Sequence, residues 1–299
     1  MKRWWIYQKE RFPVVAHAPL IAAFSACAVS FSSLIRGAAP PGPATYGVAF
    51  LVCLLMFLQL RIADEFKDAD EDARWRPYRP VPRGLVKLSE LRLVFIAAAI
   101  SQLALALWLD PRLLWVLAIA WSYLALMSVE FFCRNWLKKR PVIYLLTHMG
   151  IMPLVDFFAT ACDWMPRSGH APHGLGWFLT ASFCNGVVIE IGRKLRQPED
   201  EEEGVETYSR LWGKRGGVLV WLAALLGTLV SAALAARETG HVLLLSIPLG
   251  LAFIGSIPLA IQYVTNSTHG RRIEHFSAIW TLMLYLLLGL IPLAIHHLI

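Results

Sequence analysis

Six acids fall within nine residues at Asp64-Glu65-Phe66-Lys67-Asp68-Ala69-Asp70-Glu71-Asp72, directly after an apolar run. Asp64, Asp68 and Asp72 recur at every fourth position, so a helix continuing through them sets three carboxylates on one face. Like charges stacked in that way repel, and the pattern makes sense where a divalent cation sits among them. Magnesium is held by a few carboxylates together with water and the phosphate oxygens of a substrate. Arg74, Arg76 and Arg79 follow at once and suit an anionic ligand. A second acid run, Glu199-Asp200-Glu201-Glu202-Glu203, follows Arg193, Lys194 and Arg196. The plain alternative for both runs is a solvated, charged loop.

The elements that must position these residues are membrane helices. The chain of 299 residues is 57% hydrophobic and only 16% charged, with mean hydropathy +0.53. Soluble domains carry about 25% charged residues. Nine apolar runs of membrane length are predicted near 14–35, 44–63, 91–109, 112–132, 141–162, 174–192, 218–236, 241–264 and 277–297. The third is short of the ~20-residue ideal and needs tilt or burial. Residues 1–13, basic and bearing Trp4-Trp5, read as an interfacial segment of one domain covering 1–299. Five scattered cysteines with no CxxC pair fit packing, not metal or disulfide chemistry.

Lysine and arginine placement sets the expected orientation. Taking the N-terminus and alternate loops from it (61–92, 134–140, 193–215 and 271–272) gathers 24 of the 28 Lys and Arg. Only Arg36, Arg112, Arg167 and Arg237 fall on the other side. The N-terminus and both acid loops are expected in the cytoplasm and the C-terminus outside, in a cell inner or plasma membrane. The net charge of +7 is then a topology signal and an attraction to anionic lipid and substrate. It gives no reason to invoke nucleic acid.

The two loops follow spans two and six, corresponding places in two halves of an all-α bundle. Over nearly its whole length the chain resembles the UbiA-type intramembrane prenyltransferase superfamily. The first family motif, N-D-x-x-D-x-x-x-D and then R-P-x-P-x-G, fits Asp64 to Asp72 and the segment Arg76-Pro77-Tyr78-Arg79-Pro80-Val81-Pro82-Arg83-Gly84. Asp64 stands for Asn and Glu65 for Asp. The second motif departs: Asp200, Gly204 and Thr207 fit, but Arg196 stands where the family has an earlier Asp.

The resemblance implies a fold of nine transmembrane helices with both acid/arginine loops over one cavity. It implies Mg2+ as cofactor, held by Asp64, Glu65, Asp68 and Asp72, with Asp200 at a second ion or a water. It implies an isoprenyl diphosphate as substrate, held by Arg76, Arg79, Lys139, Arg193, Lys194 and Arg196, and an acceptor that the sequence does not identify. Within the spans, Asp156, Glu190 and His148 are candidates for acceptor contact or proton handling, and Glu130 is a further ionisable group whose position needs explaining. A helix-end ion pair with Arg193 and Lys194 is the plainer reading of Glu190, and packing that of His148. A terpene synthase cyclising its own substrate is the nearest alternative. A transporter or a non-catalytic lipid-phosphate binder is more remote, because transporters place binding groups near the midplane.

Overall fold

The computed structural model describes residues 2–265 and 270–298. Among them the chain is helical and has no strand. The elements are α1 (Lys2–Arg11), α2 (Val14–Ile35), α3 (Pro43–Lys67), α4 (Ala69–Trp75), α5 (Leu88–Leu109), α6 (Leu113–Ser128), α7 (Arg134–Lys138), α8 (Pro141–Met149), α9 (Ile151–Arg167), α10 (Leu175–Arg193), α11 (Tyr208–Glu238), α12 (Val242–Val264), α13 (Arg271–Leu288) and α14 (Leu290–Leu298). The pairs α8–α9 and α13–α14 each continue one path, Pro141–Arg167 and Arg271–His296.

Eight helical paths among the described residues are long and apolar enough to cross a membrane. The remaining predicted run, 112–132, is the short one: α6 has 16 residues, because the chain leaves helical geometry at Val129. The run predicted to be short, 91–109, is full length. Its helix starts three residues earlier, where the Glu90 carboxylate accepts the Lys87 backbone N–H at 2.9 Å, an N-terminal cap that the apolar pattern does not reveal. Pro153 is tolerated because α9 begins at Ile151, and a first-turn residue needs no N–H. Near the α8–α9 junction the Tyr123 hydroxyl donates to the Thr147 carbonyl at 2.6 Å.

α10 packs along α11, α3 along α5, and α2 along α9. The buried interior carries Phe31, Phe158, Phe178, Trp221 and Trp280. Outside it, α12 exposes Leu243, Ile247, Leu251, Ile254 and Ile261 along one side. Such a stripe is a liability in water but is at home against lipid tails.

At one end of the bundle, Asp163 of α9 is fully buried and binds Arg36 at 3.0 Å and the Ser32 hydroxyl at 2.7 Å, which ties α9 to α2. The other end carries the acid loops. There α1 is fastened to the bundle and is more than a surface segment. Arg3 binds Glu90 at 2.6 Å, Glu10 binds Arg83 at 2.9 Å, Arg11 binds Glu65, and Tyr7 is buried against Ile62, Val86 and Leu91.

Candidate active site

The first acid motif lies where α3 ends and α4 begins. Asp68 sits at the break with φ −99° and ψ 9°. Even so, backbone hydrogen bonds run from Asp68 to Asp64, Asp72 to Asp68 and Arg76 to Asp72, at 2.8–2.9 Å. The four-residue spacing therefore keeps its helical sense across the break, as the sequence predicts. Asp70, Glu71 and Asp72 occupy the first turn of α4, where the exposed N–H groups favour acids.

The side chains divide their labour. Asp72 is buried and paired with Arg76 at 2.9 Å and Arg79 at 2.7 Å. Glu65 is buried and paired with Arg11. Asp64 is partly open, with Arg61 at 2.8 Å and Lys67 at 3.8 Å. Burial and the neighbouring carboxylates of Asp64, Asp72 and Glu71 push the Asp68 carboxyl above its ordinary range, with Lys67 opposing them. The five acids expected around metal do not converge. Among the described residues, no three His, Cys, Asp or Glu side chains are disposed around one ion. Glu65 is diverted to α1 and Asp72 to its two arginines, while Asp200 ends the 3-10 turn Pro198–Asp200 of the second loop. The open pair Asp64 and Asp68 still fits magnesium, which takes one or two carboxylates and completes its shell with water and phosphate oxygens.

A third segment reaches this face. Val129 ends α6, and Glu130, Phe131 and Phe132 follow with φ of 53°, 51° and 59°. Left-handed geometry costs a non-glycine residue roughly 1–2 kcal/mol each. The turn buries Glu130, which accepts the Tyr144 hydroxyl at 3.2 Å and meets His148 Nε2 at 3.3 Å and Lys67 Nζ at 3.5 Å. Burial pushes the Glu130 carboxyl up, but the contacts from His148, Lys67 and Tyr144 outweigh it and hold it below the usual carboxylate range. His148 Nδ1 donates to the Tyr144 carbonyl at 2.8 Å, so it is a polar participant in this cluster. Of the basic tract 138–140, it is Lys138 that turns to the motif, binding Glu71 at 2.7 Å. Lys139, expected to bind diphosphate, is exposed.

The two acid loops meet. Trp75 of α4 covers Gly204 so closely that a Cβ built there would lie 2.4 Å from the indole ring. Gly204 also has φ +74°, which glycine alone adopts without strain. Tyr78 donates to Glu202 at 3.1 Å, a second contact between the two loops. Gly204→Ala therefore separates the loops, and we expect at least a tenfold loss of activity at unchanged expression. Full activity in that variant would show that loop contact is dispensable.

Arg193 and Lys194 both bind Glu190, at 2.7 and 2.8 Å. Glu190 is thus an ion-pair partner at the end of α10, the plainer of its two readings. Arg196 lines a cleft of about 460 Å³ with Glu201, Ser209, Arg210 and Lys214, and its guanidinium lies 3.9 Å from Glu274. Deep in the bundle, Asp156 is fully buried and accepts the Tyr285 hydroxyl at 2.8 Å. Residues outside the expected set are Arg11, Lys67 and Tyr144. Lys67 was visible inside the motif, but nothing in its spacing marks it as more than a surface lysine.

Comparison with known proteins gives one consistent result. Residues 23–282 match the model of the UbiA prenyltransferase family. The digeranylgeranylglyceryl phosphate synthase of Korarchaeum cryptofilum (strain OPF8) is 28% identical over 186 residues, 60% of this chain. The chain spans 62% of the length of that curated relative. Two solved structures share the fold. One, from work on digeranylgeranylglyceryl phosphate synthase in membranes, has TM-score 0.67 and 16% identity, covering 98% of this chain and all of its own. The other, an apo UbiA homolog from Aeropyrum pernix K1, has TM-score 0.69 and 14% identity, covering 94% and 98%.

Proposed function

The chain belongs to the UbiA prenyltransferase family, and from that premise we propose that it is a magnesium-dependent intramembrane transferase of prenyl groups from an isoprenyl diphosphate. The observation that carries this reading is the meeting of the two acid/arginine loops on one end of an apolar bundle. The C–O bond to diphosphate breaks and its electron pair leaves with the diphosphate. The acceptor then bonds to the freed carbon and releases a proton.

Asp64 and Asp68 are the residues that would hold magnesium, which supplies charge neutralisation to the leaving group. Asp72 pairs with both Arg76 and Arg79, and would hold the two guanidinium groups together for one anion. Arg193 and Lys194 add positive potential from the second loop, and Arg196 with Arg210 line the adjoining cleft. The dry interior protects a carbocation from water. The decisive experiment incubates purified protein with isoprenyl diphosphates of several lengths, magnesium, and acceptors that include an isoprenylglyceryl phosphate, suggested by the Korarchaeum relative. Mass spectrometry of the lipids then identifies product. No turnover of any diphosphate would sink the reading.

One observation favours cyclisation without an acceptor as a second reading. The hydroxyl of Tyr285 joins Asp156 in the core, and its ring meets Phe24 at 4.9 Å and Phe178 at 6.1 Å edge-on. Aromatic faces stabilise cations, and a buried carboxylate takes a terminating proton. A cyclic hydrocarbon formed without acceptor would identify that activity.

We place the acid loops in the cytoplasm on the lysine and arginine bias. Asp70 is exposed, so Asp70→Cys, on a background without the five native cysteines, should resist an impermeant thiol reagent in intact cells. Labelling from outside would reverse the orientation.

A further inference from the structure

We infer that Lys67 is a diphosphate-binding residue, presented to the leaving group by the left-handed Glu130 turn. This deepens the prenyl-transfer reading and rests on it. Lys67 closes α3 beside Asp68, within the field of both Asp64 and Asp68. An ammonium carries three N–H donors. Among the described residues, Lys67 Nζ makes one hydrogen bond, to the Tyr144 hydroxyl at 3.2 Å. Glu130 at 3.5 Å and Asp64 at 3.8 Å attract it without completing its shell. The side chain is mostly shielded, with 15% of it exposed. A lysine so desolvated usually spends its donors on close partners. Here it retains donor capacity on the acidic face, where a phosphate oxygen bridging toward Asp64 and Asp68 would take it.

The surroundings fix Lys67 in place. Its partner Glu130 is held by Tyr144 and His148, whose rings stack at 3.9 Å. The Tyr144 carbonyl only accepts, so His148 Nδ1 carries a proton. His148 Nε2 then faces a Glu130 oxygen at 3.3 Å. Glu130 thus lies between His148 and Lys67 and pulls Lys67 no closer than ion-pair distance. Three consecutive left-handed residues without glycine persist where surrounding structure enforces them, and such backbone gathers at ligand clamps. Glu130 is a positioning residue that acts through Lys67.

The test is titration of inorganic diphosphate, with saturating magnesium, into the full chain in detergent. Lys67→Met should weaken binding roughly 10- to 150-fold, the span of one hydrogen bond to a charged group. Lys67→Arg should recover part of that loss. Magnesium alone should bind Lys67→Met no more weakly than wild type, because the ammonium repels it. Glu130→Gln should weaken diphosphate binding about 3- to 10-fold. On the Lys67→Met background it should add nothing, since the two act as one unit. That double variant also restores charge balance if Lys67→Met alone folds poorly. Wild-type diphosphate affinity in Lys67→Met overturns the assignment and leaves prenyl transfer standing. Further weakening by Glu130→Gln on that background overturns the positioning role. Wild-type protein that binds no diphosphate overturns both.

Discussion

Asp68→Ala should remove most prenyl transfer, by 100-fold or more, while the protein folds and inserts normally. Among the described residues Asp68 forms no ion pair with an arginine, unlike Asp64, Glu65 and Asp72. Its carboxyl is pushed upward by burial and by neighbouring acids. Removing it relieves repulsion within the loop, so the cost falls on cation binding and not on stability. The measurement is product formation against magnesium concentration. Excess magnesium should rescue the variant only in part, and EDTA should silence the wild type. Full activity of Asp68→Ala, or of wild type in EDTA, would dismiss the metal assignment.

The largest effect on stability should come from Asp163→Ala. Asp163 is fully buried and binds Arg36, Ser32 and, at 3.7 Å, Arg167. Deleting one partner of a buried pair leaves the other charge uncompensated and costs about 3–5 kcal/mol. The midpoint of thermal inactivation in detergent should fall accordingly, with less harm from Asp163→Asn. Activity per folded molecule should hold, because α9 and α2 meet here at the end away from the acid loops. A wild-type inactivation midpoint would mean that lipid or water already solvates Arg36.

Much of the fold was legible because lipid imposes one rule on every span: apolar length. The four-residue acid spacing was equally legible, and its backbone geometry survives the break at Asp68. What spacing could not give was partnership. Arg11 and Glu65 are 54 positions apart, and Arg36 and Asp163 are 127 apart, so no local pattern joins them. The choice of Lys138 over Lys139 depends on how α7 is rotated, one residue in a five-residue helix. Glu130-Phe131-Phe132 holds no glycine or asparagine, the usual marks of left-handed backbone, so that turn was hidden. The resemblance at Gly204 placed the second loop in register, but only the Trp75 contact explains why a glycine stands there.

The shortness of α6 bears on the bilayer itself. Sixteen residues rise about 24 Å, against a hydrocarbon slab of roughly 30 Å. Were α6 to cross the bilayer, as the apolar run 112–132 predicts, thinning of the leaflets beside it would be one way to meet a span too short. The chain leaves α6 through the Glu130 turn, so that thinning would lie next to the acidic face. Headgroups there would be lowered toward the level of Lys67 and Asp64. On the prenyl-transfer proposal, a lipid diphosphate diffusing in the leaflet would arrive with its phosphates already at the height of those two residues, and its tail would not have to leave oil.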